Sequence, residues 1–175
     1  MLICHFLIGP PASGKSTIAS QLATLGNCRI VSTDRIRERL FGEEIIQGDW
    51  LAVQREVISQ MGEAIAAQQS IIYDATNVKR QWRRDLLDII DRELYSKQLR
   101  WIAWYATTPI ETCKEWNRGR SRQVPDEVIE AMFVSLQHTP PTVEEGFLGV
   151  VAIDVSNLSE GQLAKRIKTE VARFV

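Results

Sequence analysis

The chain has 175 residues, of which 45% are hydrophobic and 25% charged. This composition is typical of a folded globular protein and excludes a disordered or fibrous one. The formal net charge is −1, which excludes a global positive field that would attract nucleic acid or anionic lipid, so any such contact must come from a local cluster of charge. The widely spaced Cys4, Cys28 and Cys113 indicate free thiols in a reducing compartment. No segment approaches the roughly 20 apolar residues of a membrane span, and we expect a single cytoplasmic domain over residues 1–175 with no membrane partner.

Short apolar runs alternate with segments of helical periodicity along the chain. The apolar runs, which indicate buried strands, are Leu2–Ile8, Arg29–Val31, Ser70–Tyr73, Leu99–Tyr105 and Val150–Val155. The helical segments are residues 15–25, Asp34–Leu40, Leu51–Ile65, Lys79–Tyr95, Pro109–Trp116, Pro125–Leu136 and Ser159–Val175. This alternation predicts an α/β fold with a five-stranded parallel sheet and helices on both faces. Ligands of such folds bind at the carboxyl ends of the strands, so the residues after each strand are the candidates for chemistry.

A phosphate-binding loop follows the first predicted strand. Residues 9–16 match the pattern G-x-x-x-x-G-K-[ST] directly before a predicted helix. Small residues let the backbone wrap around a phosphate with its N–H groups pointing inward, and the helix N-terminus adds partial positive charge. The predicted ATP-binding residues are Gly9, Pro10, Pro11, Ala12, Ser13, Gly14, Lys15, Ser16 and Thr17. We expect Lys15 to reach the β- and γ-phosphates and the Ser16 hydroxyl to coordinate Mg²⁺.

The loop predicts that a nucleoside triphosphate binds, but kinases, GTPases and ATPase motors all carry it. No N-K-x-D-like motif for guanine follows a later strand, which disfavours a GTPase. A chain of 175 residues leaves little room for the additional machinery of a motor. A small kinase is therefore the favoured interpretation.

Two other predicted strands are followed by an acidic residue. Asp34 comes after the second, where its carboxylate is suited either to accept a proton from an attacking hydroxyl or to cap the next helix. Arg37 lies three residues later on the same helical face, able to hold that carboxylate or an acceptor phosphate. Asp74 ends the third strand, at the position from which a carboxylate orients Mg²⁺ or its water shell. Asn77 is interpreted either as part of this site or as a helix cap.

An irregular basic segment lies between two predicted helices. Arg118, Arg120 and Arg122 occupy every second position within residues 117–124, which is not the spacing of an amphipathic helix. Guanidinium groups delivered over a nucleotide stabilise charge on the transferring phosphoryl group. The segment is therefore a candidate nucleotide-binding lid, with an ordinary solvated loop as the alternative.

A second basic patch and several aromatic residues are weaker candidates. The patch, which we interpret as a solvated helix face with a contact to acceptor phosphates as the alternative, consists of Lys79, Arg80, Arg83 and Arg84. Trp50, beside the irregular segment Gly42–Asp49, is a candidate for stacking on a base or sugar. His5 and His138 are expected to be structural.

These segments resemble the kinase domain of bacterial and phage polynucleotide 5′-kinase/phosphatases and the small P-loop kinases related to it. The similar stretches are GPPASGKST, VSTDRIRERLFG, IIYDATNVKRQWRRDLL, YATTPIETCKEWNRGRSRQVPDEVI and EEGF. The resemblance implies an adenylate-kinase-like, three-layer P-loop NTPase fold with a small arginine-bearing lid. It also implies ATP and Mg²⁺ as cofactors and the 5′-end of a nucleic acid as the acceptor.

The same resemblance implies roles for individual residues. Asp34 would be the general base that takes the proton from the acceptor 5′-hydroxyl, and Arg37 would orient Asp34 or contact an acceptor phosphate. Arg122, together with Arg118 or Arg120, would contact the ATP phosphates from the lid.

Two other functions remain open from the sequence. One is a kinase of the same fold that acts on a small metabolite, a nucleotide sugar or a charged tRNA, which the near-zero net charge favours. The other is an ATP-gated binding module or bare ATPase. Asp34 separates this last alternative from a kinase, because a nucleotide switch needs the phosphate loop but no acceptor base.

Overall fold

A computed structural model describes residues 1–42, 48–94 and 98–174, and in these ranges five strands form one parallel sheet. The strands are β1 (Leu2–Ile8), β2 (Cys28–Ser32), β3 (Ser70–Asp74), β4 (Leu99–Ala106) and β5 (Gly149–Ile153). Their order in the sheet is β2-β3-β1-β4-β5. The five-stranded parallel sheet predicted from the alternating apolar runs is therefore confirmed, with β1 at its centre.

The described residues include seven α-helices. They are α1 (Lys15–Ala23), α2 (Thr33–Phe41), α3 (Trp50–Ala66), α4 (Arg80–Leu94), α5 (Ile110–Arg118), α6 (Asp126–His138) and α7 (Glu160–Val171). A short 3-10 turn at Val143–Glu145 was not predicted. Tyr95 and most of the segment Gly42–Asp49 lie outside the described residues. Within the described ranges, no helix combines the length and the apolar character needed to cross a membrane.

Most helix boundaries differ from the expected ones by one or two residues, whereas the last helix, expected to reach Val175, ends at Val171. The first helix was expected to continue through Leu25, but α1 ends at Ala23. The amides of Thr24 and Leu25 donate to carbonyls three residues back, at 3.1 and 3.0 Å, so the chain tightens into a turn at this point. Pro109 and Pro125, expected as first helical residues, are the N-caps immediately before α5 and α6.

Helices cover both faces of the sheet, as the fold class predicts. Side chains of β1 alternate between the faces: Phe6 and Ile8 belong to the apolar cluster under α3 and α4. Leu7 belongs to the cluster under α1 and α7. Period-two alternation in a strand buried on both sides produces this division, and it creates the three layers of the fold.

Arg83 corrects the interpretation of the basic patch as a solvated helix face, because its side chain is fully buried. Its Nε and Nη2 atoms donate to the two carboxylate oxygens of Glu145 at 2.6 and 2.8 Å. Its remaining donors bind the carbonyls of Asn77 and Val78, both at 3.1 Å, and of Thr139 at 3.0 Å. The guanidinium group thus joins the loop after β3 to the end of α6 and the 3-10 turn.

We expect Arg83→Met to lower the free energy of unfolding by about 3–5 kcal/mol, because it removes the bidentate partner of the buried Glu145 carboxylate. That carboxylate then keeps only its 3.4 Å contact with Arg80 and the 3.2 Å hydrogen bond from the Thr142 amide. Urea unfolding followed by circular dichroism measures the loss. Adding Glu145→Gln should recover part of it by removing the uncompensated charge. Arg84→Met changes the exposed neighbour on the same helix and should cost no more than about 0.5 kcal/mol. Equal losses for the two arginine variants would contradict this prediction.

His5 is a buried neutral histidine, in agreement with the structural role expected for it. It is 4% exposed, and Trp104 Nε1 donates to its Nδ1 at 3.1 Å. Because Nδ1 accepts that bond, the ring carries its proton on Nε2. Burial lowers the pKa of His5 from 6.5 to about 4, so the folded protein takes up a proton at this ring only well below neutral pH.

The unfolded chain binds a proton at His5 below pH 6.5, whereas the folded chain does so only near pH 4. The contribution of His5 to the free energy of unfolding should therefore be fully present above pH 6.5 and should be lost as the pH drops towards 4. This contribution amounts to about 3 kcal/mol. His5→Asn, which retains an acceptor for Trp104, should flatten that slope in urea unfolding measured at several pH values. His138→Gln, at an exposed histidine, should leave the slope as it is in the native chain. An unchanged slope in His5→Asn would show that His5 does not cause this pH dependence of stability.

Candidate active site

The loop between β1 and α1 has the backbone shape that the glycine-rich motif predicts. Gly14 is the N-cap of α1 and has a φ of 87°, a left-handed conformation that side chains other than glycine rarely adopt. A Cβ atom added there would overlap the Cγ2 methyl group of Val155. Position 14 therefore requires glycine both for its dihedral angle and for its packing.

Residues that follow the neighbouring strands hold this loop in place. The Gly9 amide donates to the Thr76 carbonyl at 3.0 Å, and the Thr108 hydroxyl donates to the carbonyl of the buried Ser13 at 3.0 Å. The Asn77 side chain donates to the Leu7 carbonyl at 2.7 Å. Asn77 is thus a positioning residue for β1, whereas the sequence suggested a site residue or a helix cap.

Lys15 is buried and folds back over the loop. Its ammonium group donates to the Pro10 carbonyl at 2.7 Å. Burial lowers the pKa of Lys15 below its ordinary value, while the negative charges of Asp74 and Asp34 oppose that shift. A cation near two carboxylates at the centre of a phosphate-binding loop is suited to bind phosphate oxygens.

Ser16 and Asp74 lie next to each other at the start of α1 and the end of β3. The Ser16 hydroxyl donates to Asp74 Oδ2 at 3.4 Å, and burial raises the pKa of Asp74 while Lys15 lowers it. Mg²⁺ is usually held by one or two protein oxygens together with phosphates and waters, and a hydroxyl beside a carboxylate fits that pattern. Among the described residues, no group of three or more His, Cys, Asp or Glu side chains could hold a metal ion.

Asp34 lies in the first turn of α2, just past the end of β2. The N-cap of this helix is Ser32, so the alternative that Asp34 is the cap is wrong. Its Oδ1 atom accepts from Arg37 Nη1 at 3.1 Å, and its Oδ2 atom lies 3.7 Å from Arg122 Nη1. Two guanidinium groups from different parts of the chain therefore hold this carboxylate in one orientation.

The three arginines between α5 and α6 have different surroundings. Arg118 is mostly exposed and lies 3.5 Å from Asp126, whereas Arg120 is close enough to Lys15 to lower the pKa of that ammonium group. Arg122 reaches Asp34, as described above. Arg120 is thus near Lys15, Arg122 contacts the start of α2 and Arg118 pairs with the first turn of α6.

Asn117 closes the base of this arginine segment. Its side-chain amide donates to the Val124 carbonyl at 2.7 Å and accepts from the Val124 amide at 3.0 Å. The residue is 2% exposed. The sequence contains no local signal for this pairing, because it joins the end of a helix to a residue seven positions later.

A cleft of about 490 Å³ opens on the β5 side of the phosphate loop. It is lined by Ser16, Thr17, Ser20, Gln21, Trp116, Val155, Leu158, Glu160 and Leu163. Asp34 lies on the opposite side, because β2 and β5 are the two outer strands of the sheet. The phosphate loop therefore lies between a half-apolar cleft and an oriented carboxylate.

A parallel sheet in this order, a phosphate loop after its central strand and an arginine-bearing loop define a P-loop NTPase with a kinase-like fold. The family model described as an AAA domain matches residues 4–139, and the chain belongs to this family of P-loop proteins. No curated protein sequence matches the chain.

Solved structures similar to this chain include several kinases. A chain of the Pnkp1/Rnl/Hen1 RNA repair complex has 23% identity and a TM-score of 0.66, over 83% of this chain and 46% of that one. A gluconokinase from Sinorhizobium meliloti 1021 has 18% identity and a TM-score of 0.60, over 97% and 91% of the two chains. A deoxyadenosine kinase from M. mycoides has 16% identity and a TM-score of 0.59, over 99% and 100%. At these identities the similarity shows the fold, and the chain spans less than half of the RNA repair protein.

We expect Lys15→Ala to weaken ATP binding by about 10- to 100-fold, the effect of losing a hydrogen bond to a charged group. Isothermal titration with ATP and Mg²⁺ measures the dissociation constant. Lys165→Ala, at an exposed lysine of α7, provides the matched control and should bind ATP as the native chain does. Native affinity in Lys15→Ala would show that this loop is not the nucleotide site.

Proposed function

We propose that this protein is an ATP-dependent kinase that transfers the γ-phosphate of ATP to a hydroxyl group, namely the 5′-hydroxyl of a polynucleotide. The observation that carries the proposal is the position of Asp34, a carboxylate outside the phosphate loop that Arg37 and Arg122 hold on the side away from the cleft. A bare ATPase or an ATP-gated module needs the loop but no such carboxylate.

In the proposed arrangement, the two substrates bind on opposite sides of the phosphate loop. The cleft beside β5, with Trp116 and Val155 in its lining, is suited to an adenine ring, because apolar and aromatic side chains bury planar bases well. The loop amides and Lys15 bind the phosphates. The acceptor then approaches from the β2 side, where Asp34 lies.

Ser16 and Asp74 are the residues that would hold Mg²⁺, and their hydroxyl and carboxylate oxygens are 3.4 Å apart. The ion would neutralise charge on the β- and γ-phosphates when bound. Asp74 also balances the buried Lys15 ammonium, whose pKa its negative charge raises.

In the proposed reaction, Asp34 accepts the proton of the acceptor hydroxyl as the hydroxyl oxygen bonds to the γ-phosphorus. The bond between that phosphorus and the bridging β–γ oxygen breaks, and ADP leaves. Arg37 keeps the carboxylate aimed at the acceptor, while Lys15, with Arg120 or Arg122, stabilises the charge that develops on the transferred group.

The polynucleotide acceptor is supported by the resemblance of four further segments besides the phosphate loop and by the fold shared with a chain of an RNA repair complex. The second candidate is a small-molecule kinase. The similarity to gluconokinase and deoxyadenosine kinase over nearly the whole of both chains favours that candidate, as does the net charge of −1.

We expect Asp34→Asn to retain ATP binding and to lose transfer by a factor of about 10² or more, the contribution of a general base. The assay follows labelled γ-phosphate from ATP to short 5′-hydroxyl DNA and RNA oligonucleotides with Mg²⁺ present. Asp85→Asn, at an exposed carboxylate of α4, is the control and should transfer normally.

Two results would count against the proposal. Full transfer by a folded Asp34→Asn protein would exclude Asp34 as the base. A native chain that binds ATP but leaves both oligonucleotides unlabelled would exclude the polynucleotide acceptor, and sugars and nucleosides would then be tested as acceptors.

A further inference from the structure

Trp50 is an exposed aromatic residue that the fold holds in a defined position. It is the first residue of α3 and is 47% exposed. The Asp49 side chain caps this helix by accepting from the Leu51 amide at 2.9 Å. Gly48 packs so closely against the Phe41 ring that a Cβ atom would overlap it. The start of α3 is therefore anchored by the two residues that precede Trp50.

The indole ring contacts the arginine that holds the carboxylate we propose as the base. The guanidinium carbon of Arg37 is 6.0 Å from the centre of the Trp50 ring, within the range of a cation–π contact. The same guanidinium group donates to Asp34 at 3.1 Å, and the Arg37 side chain is only 14% exposed. One largely buried arginine thus joins the exposed ring to the carboxylate.

The near-zero net charge of the chain means that a nucleic-acid acceptor must be bound by local contacts near Asp34. With a formal charge of −1, the protein has no global attraction for a polyanion, so affinity for nucleic acid must come from local contacts. Stacking of a base on an aromatic ring is such a contact, and it tolerates any sequence because every base has a π-face.

We propose that Trp50 stacks against the base of the 5′-terminal nucleoside of the acceptor and so positions its 5′-hydroxyl at Asp34. This inference rests on the proposed function and names the part of the acceptor that is recognised. Trp50 is a binding residue for the acceptor, on the β2 side of the phosphate loop and opposite the cleft lined by Trp116. Replacing it should therefore affect the acceptor and leave ATP unaffected.

Kinetics of three variants test the role of the ring. We expect Trp50→Ala to raise KM for a 5′-hydroxyl oligonucleotide about tenfold or more, equivalent to about 1.4 kcal/mol and within the range of base stacking. The KM for ATP should stay within about twofold, and Trp50→Phe should remain close to the native chain because it keeps an aromatic face.

Trp82→Ala is the matched control: Trp82 is 50% exposed and has the ammonium of Lys79, 4.7 Å away, over its ring. It should behave as the native chain does.

An acceptor with an abasic 5′-terminal residue distinguishes the loss of base stacking from a structural disturbance of the acceptor site by the Trp50→Ala substitution. The native chain should show the same rise in KM with this acceptor, and Trp50→Ala should add nothing further, because the two changes remove one contact. An unchanged acceptor KM in Trp50→Ala overturns the inference. An equal effect of Trp50→Ala on intact and abasic acceptors also overturns it.

Binding without turnover distinguishes this inference from the proposed function. The anisotropy of a 3′-labelled 5′-hydroxyl oligonucleotide, titrated with protein and a non-hydrolysable ATP analogue, gives the acceptor Kd for each variant. Binding that depends on Trp50 and on the terminal base, but without transfer by the native chain, supports the inference and refutes the kinase proposal. Transfer by the native chain without any dependence on Trp50 supports the kinase proposal and refutes the inference about Trp50. Absence of both binding and transfer refutes both.

Discussion

The shape of the loop between β1 and α1 is the constraint on which the site depends. The amide of Gly9, its first residue, donates to the Thr76 carbonyl after β3. The Ser13 carbonyl accepts from the Thr108 hydroxyl after β4, and Gly14 packs on Val155 after β5. Each contact comes from the end of a different strand. The loop therefore keeps its shape only if the strands stay in register, as β1 and β4 do from Leu2 opposite Leu99 onwards. A change of register far from the loop would move these contacts together.

In the described part of the chain, the charged groups around this loop lie near groups of opposite charge. Lys15 lies near Asp74 and Asp34, and Asp34 in turn contacts Arg37 and Arg122. Buried charges are stable only when paired in this manner. In the proposed function, a triphosphate would take over part of this pairing, because its oxygens compete with the Pro10 carbonyl for the Lys15 ammonium. The charges around the loop are thus already paired within the protein.

The features found from the sequence are those whose signals are local. The strands follow from apolar runs, the phosphate loop from adjacent residues, and the position of Asp34 from the strand before it. Arg83 was misassigned because its partner, Glu145, lies 62 positions away. A signal for its burial is nonetheless present, since Arg83 lies on the same helical stripe as Leu86, Leu87 and Ile90, which are all buried. The pairing of Asn117 with Val124 has no such signal, because it depends on where the chain turns after α5.

That pairing has a consequence for how the length of the arginine segment can vary. Asn117 and Val124 fasten the two ends of the arginine segment to each other through the side-chain amide, so the residues between them form a closed surface loop. The conformational entropy of closing such a loop rises slowly with its length, by about 0.6 kcal/mol for each doubling. Residues could therefore be inserted between these two positions at little cost to the stability of the fold. The positions of these arginines are thus free to vary in evolution independently of the sheet that carries the phosphate loop.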